Sequence, residues 1–218
     1  MIFALDCDSI RINAMDAIRG ADYFCPGCKS RMVLKQGEIN IPHFAHPKNR
    51  SCADLFTENK MTEWHLNHQK WFSEDCREVI LKADGKKHIA DVKKGNLIVE
   101  FQHSPIKNSV FEERTDFYNK FGNVMWIFDR VSKFENNSII PYQYNRKTHW
   151  KWMERPDKML GKYDFKKLLS DGVHVFLQIS DKPTNIYLLL TWNDEGMKYF
   201  TGDLMNDTEL HDYMLSYE

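Results

Sequence analysis

The stretch that most constrains this chain is residues 79–102, which reads as three short strands divided by two turn dipeptides. Val79–Lys82, Lys87–Val92 and Leu97–Gln102 carry strand character, and Asp84-Gly85 and Gly95-Asn96 break them. If Gly95-Asn96 is a two-residue loop, paired positions across the second hairpin sum to 191, and Asp91 stands directly opposite Glu100. Moving the loop to Lys94-Gly95 makes them diagonal neighbours on the same face. In both registers Gln102 joins Glu100 by the period of two. Directly opposed side chains have Cβ atoms about 4.5–5.5 Å apart, and like charges so placed repel. Ile89 and Ile98 share the acidic face, while Val92, Val99 and Phe101 line the other, so the sheet is covered on both sides and the acids lie in a cleft. A divalent cation turns such a repulsion into coordination, and Mg²⁺ is commonly held by one or two carboxylates with water and phosphate oxygens.

The flanking pattern is helical. Met61, Trp64, His68, Trp71 and Phe72 form one stripe of a helix, with Thr57 as a candidate N-cap. Glu63, Asn67 and Lys70 share a different face, which makes Glu63 a candidate third acid and Lys70 a candidate cation. A second helix is predicted over Ser109–Phe121, ended by Gly122, and then a buried strand, Val124–Phe128. Residues 131–148 read as an irregular excursion. A short helix near Phe165–Leu169 and two strands, Val173–Ile179 and Ile186–Trp192, complete the pattern. The order α-β-β-β-α-β in the middle predicts an α/β core with a mixed sheet flanked by helices.

Upstream, Cys25-Pro-Gly-Cys28 is followed by His43-Phe-Ala-His46 and Cys52. A CxxC pair sets two thiolates at one knuckle, suited to two corners of a tetrahedral Zn²⁺ with Zn–S near about 2.3 Å. A closed structural site has four ligands, so one of His43, His46 and Cys52 is a bystander; His46 and Cys52 are favoured, with His43 the alternative. The segment 1–56 is too small for a large core and is expected to be a β-rich, zinc-stapled domain. Residues 57–218 form the second expected domain, with 131–218 as a C-terminal extension.

Net charge is −1 with pI near 6.8, so any nucleic-acid footprint must be local. Lys82, Lys86, Lys87, Lys93 and Lys94 crowd the hairpin ends. The run Arg146–Trp152 interleaves cations, Lys147 and Lys151 among them, with aromatics, a composition suited to phosphate contact and base stacking. The longest apolar runs are strand-length, which argues against a membrane span. The opening residues lack a signal-peptide pattern, and an odd cysteine count argues against a disulfide framework; both point to the cytoplasm.

Taken in order, Cys25-Pro-x-Cys28, His43-Phe-Ala-His46, Cys52, Glu63-x-His65, Asp91, Glu100-Phe101-Gln102 and Arg114-x3-Tyr118, with the strand up to Asp129, resemble the competence protein CoiA-like family. The resemblance covers about residues 1–130. It implies a restriction-endonuclease-like PD-(D/E)XK core behind an N-terminal zinc-binding region. It further implies a nuclease that uses Mg²⁺ or Mn²⁺ on DNA, single-stranded or branched, in recombination or competence. By the same resemblance Asp91 and Glu100 are the metal-binding acids, Gln102 occupies the position usually held by lysine, and Glu63 is the helical glutamate. A glutamine binds water through its amide but cannot lower its pKa by charge, so Lys70 or Arg114 are the candidates to supply positive charge there. Oligomeric state stays open, a homodimer among the alternatives.

Overall fold

The computed structural model describes residues 1–47, 61–144, 147–153, 172–193 and 199–218. It divides into two compact units, Met1–Ala90 and Asp91–Glu218. The expected domain boundary at 56/57 and the helix expected at 165–169 lie outside the described residues.

The first unit opens with five short strands: β1 (Phe3–Leu5), β2 (Arg11–Asn13), β3 (Tyr23–Phe24), β4 (Arg31–Lys35) and β5 (His43–Ala45). They form an antiparallel sheet in the order β2-β1-β3-β4-β5. Its core is modest: Ala4, Ala14, Ala17, Tyr23, Cys25, Met32 and Phe44, with the Tyr23 and Phe44 rings 4.9 Å apart. Buried Glu78 adds a polar tie, its Oε2 accepting from Ile2 N at 2.7 Å and Phe3 N at 3.2 Å. The helix α1 spans Glu63–Gln69, and Thr57, the expected N-cap, lies outside the described residues. Thr62 caps the helix, its hydroxyl accepting from His65 N at 3.2 Å. His68 and Phe72 are buried, as the apolar stripe predicts.

The strands that follow match the pattern read from sequence: β6 (Arg77–Ala83), β7 (Lys86–Lys94) and β8 (Leu97–Gln102). Asp84 and Gly85 both take positive φ, 50° and 75°, as a type I′ turn requires. In the second hairpin the register is Lys94↔Leu97, Lys93↔Ile98 and Val92↔Val99, each summing to 191, so Gly95-Asn96 is the loop. The chain then runs through α2 (Asn108–Tyr118), β9 (Asn123–Asp129), α3 (Val131–Glu135), β10 (Ile139–Tyr144), β11 (Lys147–Trp152), β12 (His174–Ser180), β13 (Ile186–Asn193), β14 (Tyr199–Met205) and α4 (Asp207–Leu215). One nine-stranded mixed sheet results, in the order β10-β11-β14-β13-β12-β9-β8-β7-β6. β8, β9 and β12 are parallel neighbours, and β8 is buried at every position, as a parallel strand covered on both faces must be.

Three departures from the sequence reading have identifiable causes. Residues 131–144, expected to be irregular, form α3 and β10, and from Lys147 the chain continues as β11. Pro141 sits inside β10, which is allowed because β10 is the edge of the sheet. β14 escaped notice because Gly202 interrupts it, and at Gly202 a Cβ would stand 2.2 Å from Leu189 O. α4 was missed although Asn206 and Glu209 spell a reciprocal capping box, formed here in both directions.

Gly122 joins α2 to β9 at φ +153°, where a Cβ would stand 2.0 Å from the Asn96 carbonyl oxygen in the hairpin loop. Backbone cannot yield there as a flexible side chain would. Gly122→Ala should therefore cost about 1–3 kcal/mol by overpacking, read as a lower urea midpoint with an unchanged slope.

Candidate active site and metal knuckle

β8 carries two polar residues through the most buried part of the sheet. Glu100 is 1 % exposed and Gln102 5 %. A carboxylate that deep needs a cation and hydrogen bonds, since desolvation of an unpaired charge costs several kcal/mol. Arg114, in the second half of α2, meets it: Nη2 donates to Glu100 Oε2 at 2.5 Å and to the Tyr118 hydroxyl at 3.2 Å. Arg114 and Tyr118 are spaced i, i+4, so both project from one face of the helix. The Tyr118 hydroxyl also hydrogen-bonds to Glu100. The guanidinium is flanked by the rings of Tyr118 and Trp126, at 5.7 and 5.6 Å. Beneath it, Trp126 Nε1 donates to the buried Thr115 hydroxyl at 3.1 Å.

Burial pulls the Arg114 pKa down, but Glu100, then Tyr118 and Asp91, outweigh it and hold the guanidinium above its ordinary value. Burial, and then the Glu100 charge, push the Tyr118 phenol well above its ordinary value, so it stays a donor. Arg114, a candidate to supply positive charge near Gln102, is thus placed beside Glu100. Its side chain is 11 % exposed and committed to an internal carboxylate.

Asp91 sits where the β7–β8 ladder stops. Val92↔Val99 is the last regular pair. Phe101 N, two residues on and facing the same edge, donates instead to Asp91 Oδ2 at 2.8 Å. The side chain thereby replaces a backbone acceptor, and half-buried Asp91 lies within electrostatic range of Arg114. Asp91, Glu100, Arg114 and Tyr118 accordingly form one charged cluster. Gln102 ends the strand with Nε2 donating to Ser104 O at 2.5 Å. Glu63 and Lys70 belong to the Met1–Ala90 unit, both exposed, at the start of α1 and at its C-cap.

As a metal site, Asp91 and Glu100 offer the hard oxygen donors that Mg²⁺ or Mn²⁺ requires. The donor chemistry fits, with the restriction that Glu100 Oε2 already holds Arg114.

Among the residues expected to contact nucleic acid, Lys151 is half-buried on β11. Lys147 begins the same strand, and Arg146 lies outside the described residues. Trp150 is buried against Phe134, ring centroids 5.7 Å apart, so it cannot stack on a base.

The second cluster lies in the first unit. Cys25, Cys28 and His46 bring their ligand atoms within 4.8 Å of one another. The knuckle forms because Lys29, at φ +62°, turns the chain so that Lys29 N reaches Cys25 O at 2.8 Å and Cys25 N reaches Ser30 O at 2.9 Å. Gly27 N points at Cys25 Sγ from 3.4 Å, and His46 Nε2 is 3.9 Å from Cys28 Sγ. Burial raises the Cys25 thiol pKa against the opposing backbone hydrogen bonds, and burial lowers that of His46, keeping its imidazole neutral as a ligand must be. His43 turns elsewhere, with Nδ1 2.8 Å from Ile41 O. Two thiolates and an imidazole are compatible with Zn²⁺. Cys52, expected as the fourth ligand, lies outside the described residues.

Comparison with known proteins supplies context for both clusters. Residues 7–55 match the family model of the competence protein CoiA N-terminal domain, and residues 88–179 match that of the CoiA nuclease-like domain. The competence protein CoiA of Bacillus subtilis (strain 168) is 29 % identical over 143 residues, covering 60 % of this chain and 37 % of that protein. No solved structure matches. No helix among the described residues is long and apolar enough to cross a membrane.

Two outcomes follow from these geometries. Arg114→Ala should cost about 3–5 kcal/mol in chemical denaturation because it strands a buried carboxylate, whereas Arg114→Met with Glu100→Met should recover most of the loss. Purified protein should carry close to one Zn²⁺ per chain by elemental analysis. Cys25→Ser with Cys28→Ser should lose it, and chelation should lower the thermal midpoint of the wild type alone.

Proposed function

Since the chain belongs to the CoiA-like competence protein family and carries its nuclease-like domain, we propose that it is a metal-dependent nuclease hydrolysing phosphodiester bonds in DNA. Its place would be in the recombination or processing of DNA during competence. The observation that carries this reading is the cluster at the end of the β7–β8 ladder, where Asp91 interrupts strand pairing beside buried Glu100 and Arg114. An acid that leaves a ladder, on a strand facing a buried charge pair, is an expensive arrangement for a purely structural sheet.

In this reading Asp91 and Glu100 hold the Mg²⁺ or Mn²⁺. When bound, the ion supplies Lewis acidity, activating a water at neutral pH and offsetting the charge that builds on phosphorus. Asp91 orients through the Phe101 amide, which fixes its carboxylate at the strand edge. Gln102 brings an uncharged amide where the superfamily usually has a lysine, so the positive charge within the cluster comes from Arg114. Glu63 is a further candidate ligand on α1. Lys70, Lys147 and Lys151 are candidate phosphate contacts, and Zn²⁺ on Cys25, Cys28, His46 and Cys52 staples the N-terminal region.

A second reading, a catalytically silent DNA-binding protein on the same core, draws on the commitment of Glu100 to Arg114. The two are separated by a cleavage panel of single-stranded, duplex, flap and four-way-junction DNA with Mg²⁺ and Mn²⁺. Under the nuclease reading the wild type cuts at least one substrate, and Asp91→Asn and Glu100→Gln each lose about 10²-fold or more. Glutamine is the informative change at position 100, because alanine would also leave Arg114 buried alone. Salt-sensitive DNA binding with no cleavage by the wild type would favour the second reading.

A further inference from the structure

The metal reading and the observed ion pair make competing demands on one carboxylate. Glu100 is buried, and one of its oxygens is 2.5 Å from Arg114 Nη2. A divalent ion drawing on Asp91 and on the Glu100 oxygen that holds Arg114 must share or displace that contact. Formal charge shows what could make the exchange favourable. Asp91, Glu100 and Arg114 together carry a net charge of minus one. A divalent ion brings the cluster to plus one, in a low-dielectric setting where excess charge is costly. One phosphate of a bound strand returns it to zero. Arg114 suits a change of partner, since guanidinium recognises carboxylate and phosphate with the same donor fork. Its Nε is buried and has no hydrogen-bond partner among the described residues, so Glu100 does not use the full fork.

We propose that Arg114 is an exchangeable cation. It neutralises Glu100 in the resting protein and passes to a phosphate of the nucleic acid when a divalent ion takes Glu100, so that ion and nucleic acid bind cooperatively. The inference rests on the nuclease reading and adds to it an order of assembly. The protein alone binds the ion weakly, the strand strengthens ion binding, and by reciprocity the ion strengthens strand binding by the same factor.

The test is binding, not turnover. Mn²⁺ is titrated into the full-length chain, followed by the electron paramagnetic resonance of free Mn²⁺, with and without a short phosphorothioate DNA that resists cleavage. The expected result is Mn²⁺ affinity about tenfold higher with the oligonucleotide present. In Arg114→Met the affinity for Mn²⁺ alone should rise, because its competitor is gone, and the coupling should fall towards onefold. Arg114→Lys, which keeps a cation at the position, should retain coupling above that of Arg114→Met. Equal wild-type affinities with and without oligonucleotide overturn the exchange, as does full coupling in Arg114→Met. If Arg114→Met fails to fold, equal wild-type affinities still overturn the exchange, and Arg114→Lys carries the comparison: coupling identical to the wild type in it, with unchanged affinity for Mn²⁺ alone, overturns the exchange as well. Asp91→Asn separates the two levels: Mn²⁺ binding unaffected by that change removes the metal reading itself. Binding lost in Asp91→Asn but uncoupled in the wild type removes only the exchange.

Discussion

A single buried carboxylate sets the terms for the second unit. β8 is an interior strand of the nine-stranded sheet, third from the β6 edge and with every residue covered, and Glu100 stands within it. Buried there, the charge is withdrawn from bulk solvent, so the fold must bring a cation to it. α2 does this by returning over the sheet with Arg114 and Tyr118 on one face, and Trp126 on the adjacent parallel strand completes the wall. The crossover from β8 to β9 is therefore fixed by electrostatics as well as packing. Gly122 then lets the chain pass within contact distance of the hairpin loop, which holds the register that places Asp91 beside the pair.

The N-terminal strands face the opposite problem. Three of the seven residues in their main buried cluster are alanines, and the strands are two to five residues long. Apolar burial on that scale does little against the conformational entropy of ordering such short segments. The knuckle around Cys25 and Cys28 answers with local backbone hydrogen bonds and a set of soft ligands, and a metal there would supply the missing cross-link.

What could be read in advance divides along physical lines. The β6–β7–β8 meander was legible as strands and turns, because turn dipeptides and a period of two are local signals. Of the two registers left open for the second hairpin, the structure takes the Gly95-Asn96 loop, with the ladder ending at Val92↔Val99. The convergence of Cys25, Cys28 and His46 followed from ligand spacing, although spacing alone could not separate His46 from His43. The bond between Glu100 and Arg114 was not legible. It joins a strand to a helix fourteen residues away, and helical periodicity says which residues share a face without saying which strand residue they meet. Arg114 consequently read only as a candidate positive charge near Gln102, and its partner emerged only from the crossover. β10 and β14 were hidden by Pro141 and Gly202, residues tolerated for reasons of edge position and close approach that belong to the assembled sheet.

The Glu78 carboxylate also bears on the order in which the chain can be built. It accepts the amides of Ile2 and Phe3 from 76 and 75 residues away along the chain, and Arg11 reaches the carbonyl oxygens of Glu74 and Arg77 over a similar span. During synthesis β1 and β2 precede β6, yet the acceptors for these donors arrive only with the segment leading into β6. That corner of the first sheet is thus completed only after residues 74–78 have been made. Until β6 emerges, its short strands are a nascent surface with unmet amides, for which early capture of a metal at the Cys25 knuckle would be the available local restraint.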